Sequence, residues 1–387
     1  MKIGIGLLEW AGERKDPTGR PAMSGASHIR FGQYEPWLEP GALPGLSGHE
    51  YFLGEPVYDH RTGTFGVNMM LNPDQFPDPN DLSNVIPEER DIVVDLDVVI
   101  LKHIMDEGSE KHVYTARSNG QIILQDIDDH MWAIPDWNGA FYAMHPDVNK
   151  ESNVYHMGLN VDASDGIIAS TPTMAEEMKR IFDLPTVVAD NHVDVDKFLN
   201  PREVNDVPRL GWTGGIALKG RDLEQLKPWA NSYPWVHGGH SEKAFGAYGA
   251  SFQNIVGVED VQTHPSTIIS EYPAMFTFDV GTVPLKQCVF NDCKSWIKGI
   301  EYSAAGLPFI ATPVAEYRRL HEILGIGFLA RGTPDWVKYA KRLLNDADMR
   351  YEVGKKNREV VAKNLDVRLG ALRLDNVVSS LIDHASK

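Results

Sequence analysis

Short apolar runs alternate along most of this chain with segments whose apolar residues recur every three or four positions. The runs have the length and composition of β-strands, and the spaced segments have the period of amphipathic helices. Strands are predicted at 2–8, 91–101, 120–125, 163–171, 186–189, 209–212, 235–240, 276–284 and 307–311. Helices are predicted at 174–182, 294–305, 334–345, 347–363 and 368–385, and a further helical run ends at 226. This alternation predicts an α/β fold.

Two stretches interrupt the alternation. Residues 11–90 hold 10 of the 24 prolines, interleaved with glycines, so this region is predicted to be mostly loop or short extended segments. It forms either an elaborated part of a binding site or a flexible surface insertion. Residues 196–208 contain two prolines and no periodicity, which predicts a linker between two domains.

Composition and charge exclude several classes of protein. A chain of 387 residues is long enough for two domains, and 42% hydrophobic with 24% charged residues is typical of a soluble globular protein. The formal net charge of −17 argues against broad binding to nucleic acid or anionic membranes. No apolar stretch approaches the ~20 residues of a membrane span, and we expect no signal peptide. Cys288 and Cys293 are expected to be reduced thiols of a cytoplasmic protein.

The segment 278–313 carries the most chemical information. After an apolar run and a polar loop, residues 294–305 are predicted to form a helix. Lys294, Lys298 and Glu301 would share one stripe of that helix. Free N–H groups at its beginning would suit a phosphate, and Glu301 would lie about 10 Å further along. The alternative interpretation is a solvated face with ordinary ion pairs.

A glycine pair follows the predicted strand 209–212. Gly214 and Gly215 come directly after it, and Lys219 and Arg221 precede the helical run. A glycine turn between a strand and a helix lets backbone N–H groups approach a phosphate closely. A glycine pair alone is weak support, because many such turns need one.

Acidic residues follow the strand predicted at 120–125. Asp126, Asp128, Asp129 and His130 lie at its carboxyl end, which is where open α/β sheets place their sites. Three interpretations remain open: a metal-binding Asp-x-Asp, a metal-free cluster that meets a substrate hydroxyl, and acids that only cap the following helix.

The order of motifs around Glu301 resembles a known family. Pro-Leu, Phe-Asn, Lys-Ser, Ile-Lys, Glu-Tyr and Gly-Leu-Pro follow one another as in the donor-binding segment of GT-B-fold glycosyltransferases of the family-4 type. The resemblance implies that Glu301 holds the ribose of a nucleotide-sugar and that the helix N-terminus faces its diphosphate. The family usually has a second glutamate eight positions earlier, on the donor sugar. Cys293 stands there in this chain, so the sugar contact stays open.

The resemblance also implies an architecture and a reaction. We expect two Rossmann-like domains facing a cleft, the GT-B fold, over 1–200 and 201–367, with the last helix, about 368–387, packing back on the first domain. The second domain would bind the nucleotide-sugar, a UDP- or GDP-sugar, and the first would bind an acceptor glycan, protein or other hydroxyl-bearing molecule. The sugar would be transferred to an acceptor hydroxyl with retention and without a metal. Alternatives are a nucleotide-sugar epimerase of this fold and a non-catalytic protein that binds sugar nucleotides or glycans.

Each candidate residue takes a role from this resemblance. The expected donor-binding residues are Gly214, Gly215, Lys219, Arg221, Lys294, Ser295, Lys298 and Glu301. The expected catalytic residues are Asp126, Asp128, Asp129, Lys219 and Lys298. Glycosyltransferases that resemble this chain often show an Asp-Ile-Asp-Asp run before an aromatic residue and a proline, here Trp132 and Pro135. The resemblance therefore favours the interpretation in which the acids form a metal-free cluster that meets the acceptor hydroxyl. Expected acceptor-binding residues are Ser27, His28, Arg30 and His130, because residues 24–30 resemble a glycine-rich loop that the family places near its acceptor.

Overall fold

The structure of the protein is a computed structural model. It describes residues 1–7, 10–15, 21–23, 25–69, 92–93, 95–102, 104–151, 153–198, 205–216, 220–239, 251–265, 271–325 and 327–386. Within these ranges, no helix is both long and apolar enough to cross a membrane. Cys288 and Cys293 are free thiols, and the cytoplasmic location stays a prediction.

The amino-terminal half builds an eight-stranded sheet and a small hairpin. The hairpin pairs β2 (Trp10–Lys15) with β3 (Pro21–Met23). The strands of the sheet are β1 (Lys2–Leu7), β4 (Glu50–Asp59), β5 (Thr64–Met69), β6 (Ile92–Val93), β7 (Val98–Lys102), β8 (Ile122–Ile127), β9 (Gly166–Ala169) and β10 (Thr186–Val188). Their order is β10-β9-β8-β7-β1-β4-β5-β6. The sheet is parallel from β10 to β4 and antiparallel at β5 and β6.

The carboxyl-terminal half builds a six-stranded sheet that is parallel throughout. Its strands are β11 (Leu210–Thr213), β12 (Trp235–Gly238), β13 (Val261–His264), β14 (Val280–Val283), β15 (Phe309–Ala311) and β16 (Phe328–Leu329), and their order is β13-β12-β11-β14-β15-β16. Four of these strands are buried along their whole length and consist mostly of apolar residues, as a parallel sheet with both faces covered requires.

Helices connect the strands and cover both sheets. Those of the first half are α1 (Gly25–Arg30), α2 (Glu35–Leu38), α3 (Glu110–Ser118), α4 (Phe141–Met144), α5 (Asn153–Asp162) and α6 (Pro172–Ile181). Those of the second half are α7 (Gly220–Leu223), α8 (Phe252–Val256), α9 (Val289–Asp292), α10 (Ile297–Ala304), α11 (Ala315–Leu324), α12 (Thr333–Asn345), α13 (Ala347–Asn364) and α14 (Val367–Ala385). Two α/β sheets with this connectivity confirm the predicted fold class.

The last helix returns to the first sheet. Leu374, Val378 and Leu381 of α14 lie in one apolar cluster with Ile3 and Ile5 of β1. The chain therefore crosses from the second sheet back to the first before it ends at α14.

One prediction about local structure is wrong. The helix predicted over 294–305 begins at Ile297, because residues 293–296 form an irregular link between α9 and α10. The region 11–90, predicted to be mostly loop or short extended segments, contributes two strands, β4 and β5, that extend the first sheet. Tertiary pairing with β1 places β4 there despite Gly54 and Pro56.

Candidate active site

Two glycine turns at the carboxyl end of the second sheet lie against each other. Gly214, after β11, has a φ of 140°, and Gly239, after β12, has a φ of 145°. The Gly214 N–H donates to the Gly238 carbonyl oxygen at 2.8 Å. A Cβ on Gly239 would lie 2.3 Å from the Gly214 oxygen, so a side chain cannot be added there without displacing backbone. The two turns therefore present bare backbone at this edge of the sheet.

The ammonium of Lys298 lies beside this bare backbone. A Cβ on Gly214 would come within 3.1 Å of Lys298 Nζ, and Nζ is 5.6 Å from the centre of the Trp212 ring. Among the described residues no carboxylate lies within the 4 Å of an ion pair with Nζ. Burial lowers the pKa of Lys298, because the charged form is poorly solvated. A desolvated cation beside open backbone is an arrangement that an anion such as a phosphate would stabilise.

Glu301 lies one turn further along α10. Its side chain is buried, and the Tyr272 hydroxyl donates to its Oε2 at 3.0 Å. Burial raises the pKa of Glu301 to about 7, although Lys298 and the Tyr272 hydrogen bond act in the opposite direction. The residue lines a small cavity together with His28 and His192 of the first half. Because Glu301 is buried, the alternative interpretation of a solvated Lys/Glu face is wrong.

The link between α9 and α10 contacts the first half instead of continuing the helix. Lys294 Nζ forms an ion pair of 2.6 Å with Asp129, and Ser295 Oγ accepts from Asn191 Nδ2 at 2.9 Å. Cys293 is fully buried in an apolar cluster with Met174 and other residues of α6. Lys294 therefore does not share a stripe with Lys298, and the Cys293 thiol faces protein where the family has a sugar-binding glutamate.

The first acid of the Asp126–Asp129 run is structural. The Asp126 carboxylate is fully buried and forms an ion pair with the Arg30 guanidinium in which both carboxylate oxygens accept hydrogen bonds. Arg30 also donates to the Ala189 oxygen and to Asn191 Oδ1 at 2.6 and 2.8 Å. Ser27, on the same helix α1, is fully buried as well. The side chains of Asp126, Arg30 and Ser27 are enclosed in the protein, and their predicted contacts with a substrate stay predictions.

The other members of the run differ in their partners and in their exposure. Asp128 pairs with Lys102 at 3.1 Å, and 16% of its side chain is exposed, whereas 45% of the Asp129 side chain is exposed. His130 lies 3.6 Å from Glu177, and burial lowers its pKa. No three His, Cys, Asp or Glu side chains of the described chain come together as a metal site. The roles of Asp128, Asp129 and His130 stay predictions.

The remaining predicted residues occupy different positions. His28 lies opposite Glu301 in the small cavity, and burial lowers its pKa to about 4. Gly215 is exposed, with open space where a Cβ would be. Arg221 points its largely exposed side chain to within 3.5 Å of Glu224. Lys219 lies outside the described residues.

Three residues of the site were not found by sequence reasoning. Asn191 joins Arg30 to Ser295, and its carbonyl accepts from the Trp296 indole at 2.8 Å. Tyr272 holds Glu301. His237 bonds the Gly214 oxygen at 3.2 Å. Asn191 could have been found from its place just after the strand predicted at 186–189, and His237 from its place in the strand predicted at 235–240.

Comparison with known proteins identifies the fold. No protein-family model matches the chain, and no curated protein matches it in sequence. Sucrose-phosphate synthase from Thermosynechococcus elongatus is similar in structure, with a TM-score of 0.63 and 14% identity over 99% of this chain and 100% of the other. Anabaena HepE in complex with UDP and glucose has a TM-score of 0.56 and 12% identity over 98% and 100%. A glycosyltransferase from Rickettsia africae has a TM-score of 0.52 and 13% identity over 74% and 77%.

These similarities show that the chain has the GT-B fold of glycosyltransferases. The sequence resemblance to that fold is confirmed. Since the identities lie between 12% and 14%, they establish the fold and leave the substrates open.

Proposed function

We propose that the protein is a glycosyltransferase that moves a sugar from a nucleotide-sugar to an acceptor hydroxyl with retention. The observation that carries the proposal is the position of Lys298, whose poorly solvated ammonium lies against the bare backbone of Gly214. Glu301 stands one helical turn away, about 4.5 Å along the helix axis. HepE, which shares the fold, has been solved with UDP and glucose. This supports a UDP-sugar as the first donor to test, with GDP-sugars next.

The donor would lie along α10. Its diphosphate would meet the Gly214 turn, Lys298 and the first N–H groups of α10, because these are the anion-binding features of the second half. Its ribose hydroxyls would donate hydrogen bonds to the Glu301 carboxylate, which also accepts from the Tyr272 hydroxyl. This arrangement uses the two poorly solvated charged groups of α10, Lys298 and Glu301.

The acceptor would approach from the first half. Asp128 and Asp129 lie at the carboxyl end of β8, facing the link between α9 and α10 through the Asp129–Lys294 ion pair. One of these carboxylates would orient the acceptor hydroxyl. The acceptor oxygen would bond to the anomeric carbon as the bond from that carbon to the phosphate oxygen breaks, and the acceptor proton would pass to the carboxylate or to the departing diphosphate. Negative charge grows on the diphosphate in this step, and Lys298 would stabilise it. No metal is required in this scheme.

Nucleotide release in the presence of an acceptor tests the proposal. The chain would be incubated with UDP- and GDP-sugars, with and without a panel of saccharide acceptors, and free nucleotide and product would be quantified. We expect release that depends on the acceptor, with matching amounts of glycosylated product. An epimerised nucleotide-sugar without an acceptor would indicate an epimerase, and binding without turnover for every acceptor would indicate a binding protein.

A further inference from the structure

A second, larger cavity lies at the far edge of the second sheet. It has a volume of about 800 Å³ and opens between α11 and α12, at the carboxyl ends of β15 and β16. This volume is within the range of small-molecule sites, and the carboxyl edge of a parallel sheet is where α/β proteins bind ligands. The cavity's lining includes neither Gly214, Lys298 nor Glu301.

The cavity and the proposed donor site lie along the same edge of the sheet but share no residue. Arg331 of the cavity follows β16, which is three strands, or about 14 Å, from β11 and its Gly214 turn. Gln287, Thr312 and Pro313 of the lining follow β14 and β15, so this part of the cavity lies closer to the turn. Because none of the donor-site residues lines the cavity, a ligand there could be bound together with a nucleotide.

Two guanidinium groups line this cavity. Arg318 belongs to α11, and Arg331 follows β16. No carboxylate among the described residues forms an ion pair with either guanidinium, although Glu322 stands one turn after Arg318 on the same helix. The neighbouring Arg319 differs, because it pairs with Asp190 and with Glu316. Guanidinium groups without described carboxylate partners, in one concave site, suit carboxylates and phosphates, because each guanidinium presents a planar fork of N–H donors.

The other polar groups of the cavity suit hydroxyls. Gln287, His321 and Tyr339 can donate and accept hydrogen bonds, and Glu322 can accept them. Asp335 is already engaged, since its carboxylate accepts from the Arg331 backbone N–H at 3.0 Å. A simple inorganic anion would leave most of these groups without contact. The lining fits a molecule that carries several hydroxyls and one anionic group.

We propose that this cavity binds a polyhydroxylated anion, either a free sugar phosphate or an acidic saccharide unit of a longer chain. Both sources share the chemistry that Arg318 and Arg331 recognise. The proposal does not depend on the proposed transferase activity, because it uses none of the residues of the donor site.

Calorimetric titration of the full chain tests the proposal with two matched pairs of probes. Mannose 6-phosphate is compared with mannose, and trigalacturonate is compared with maltotriose. We expect saturable binding of at least one anionic probe and at least tenfold weaker binding of its neutral counterpart. Binding of mannose 6-phosphate would identify a free sugar phosphate as the source, and binding of trigalacturonate alone would identify an acidic saccharide.

Substitutions then locate the site. Replacing both arginines, Arg318→Gln with Arg331→Gln, should weaken the anionic probe at least tenfold. Arg342→Gln, at an exposed arginine of α12 outside the cavity, should leave its affinity unchanged. Thermal unfolding of each variant would check that the fold is retained.

Three results would overturn the proposal: no saturable binding of either anionic probe, equal affinity in the double variant, or displacement of the probe by UDP. The last result would place the anion in the donor site. If neither anionic probe binds while UDP still does, the proposal for this cavity fails and the proposed function is unaffected.

Discussion

The two walls of the cleft handle charge in different ways. On the first wall, made of Asp126, Asp128, Asp129 and His130, each side chain has an oppositely charged or titratable partner within 4 Å. On the second wall, made of Gly214, Lys298 and Glu301, the Glu301 side chain is buried and Lys298 is half-buried, and desolvation lowers the pKa of Lys298 and raises that of Glu301, which favours the neutral form of each. Paired buried charges are satisfied by the protein, whereas poorly solvated ones gain most from a ligand. The difference supports the proposal that the second wall binds the charged substrate.

The strongest test of the first wall removes its buried cation. Arg30→Met leaves the Asp126 carboxylate buried without its partner, which should destabilise the protein by about 3–5 kcal/mol. Chemical unfolding followed by fluorescence would measure the loss. Arg61→Met, at an arginine with 78% of its side chain exposed, should cost at most about 1 kcal/mol. Similar midpoints for the two variants would refute the structural role of the Arg30–Asp126 pair.

A steric change on the second wall should have the next largest effect. Gly214→Val places a branched side chain where Lys298 Nζ and the Trp212 ring are 3.1 and 3.2 Å from a Cβ, at a φ of 140°. We expect more than tenfold weaker nucleotide binding, measured by calorimetry. Gly332→Ala is a suitable control, because the nearest atom is 3.8 Å from its Cβ. Unchanged nucleotide affinity in Gly214→Val would show that the diphosphate binds elsewhere.

Removing the cation of the second wall should affect chemistry more than binding. In Lys298→Met, kcat should fall more than the donor KM rises, because the diphosphate carries most charge in the transition state. Lys294→Met serves as the comparison, since that ammonium is paired with Asp129 and should contribute less. Steady-state kinetics would separate the two constants. A Lys298→Met enzyme with wild-type kcat and kcat/KM would remove this residue from the mechanism.

The smallest expected effect is that of a chelator. If Lys298 and backbone N–H groups neutralise the diphosphate, then EDTA should leave turnover largely intact. Asp128→Asn should impair transfer while nucleotide binding is kept. Complete loss of activity in EDTA, restored by Mg²⁺ or Mn²⁺, would contradict this. It would indicate that a metal held by the first wall neutralises the diphosphate of the donor.

The sequence was sufficient for the features that are local. Short-range pattern predicts the acids at the end of β8, the glycine turn after β11 and the position of Glu301 on a helix. It also predicts where most of the strands lie in the sequence. Partners could not be predicted, because Arg30 is 96 residues from Asp126 and Lys294 is 165 residues from Asp129. The break before α10 has the same origin: Cys293 and Trp296 make contacts with the first half that outweigh helix propensity.

Nucleotide titration of two matched glutamate variants tests the central claim most directly. Glu301 and Glu316 are both buried, and burial raises the pKa of each to about 7. Of the two, only Glu301 lines the small cavity that it shares with His28 and His192. A raised carboxyl pKa contributes stability below the ordinary value near 4.5, and this is lost as pH rises through 7. Each Glu→Gln variant avoids this loss. Its free energy of unfolding minus that of the wild type should therefore be larger at pH 8 than at pH 5.

Nucleotide binding should separate them. We predict that Glu301→Gln weakens the preferred nucleoside diphosphate by about 1–3 kcal/mol, through the loss of a charge-assisted hydrogen bond to the ribose. Glu316→Gln should bind it as the wild type does. Equal affinities of wild type and Glu301→Gln, with the fold intact, would contradict the assignment of the second wall as the donor site.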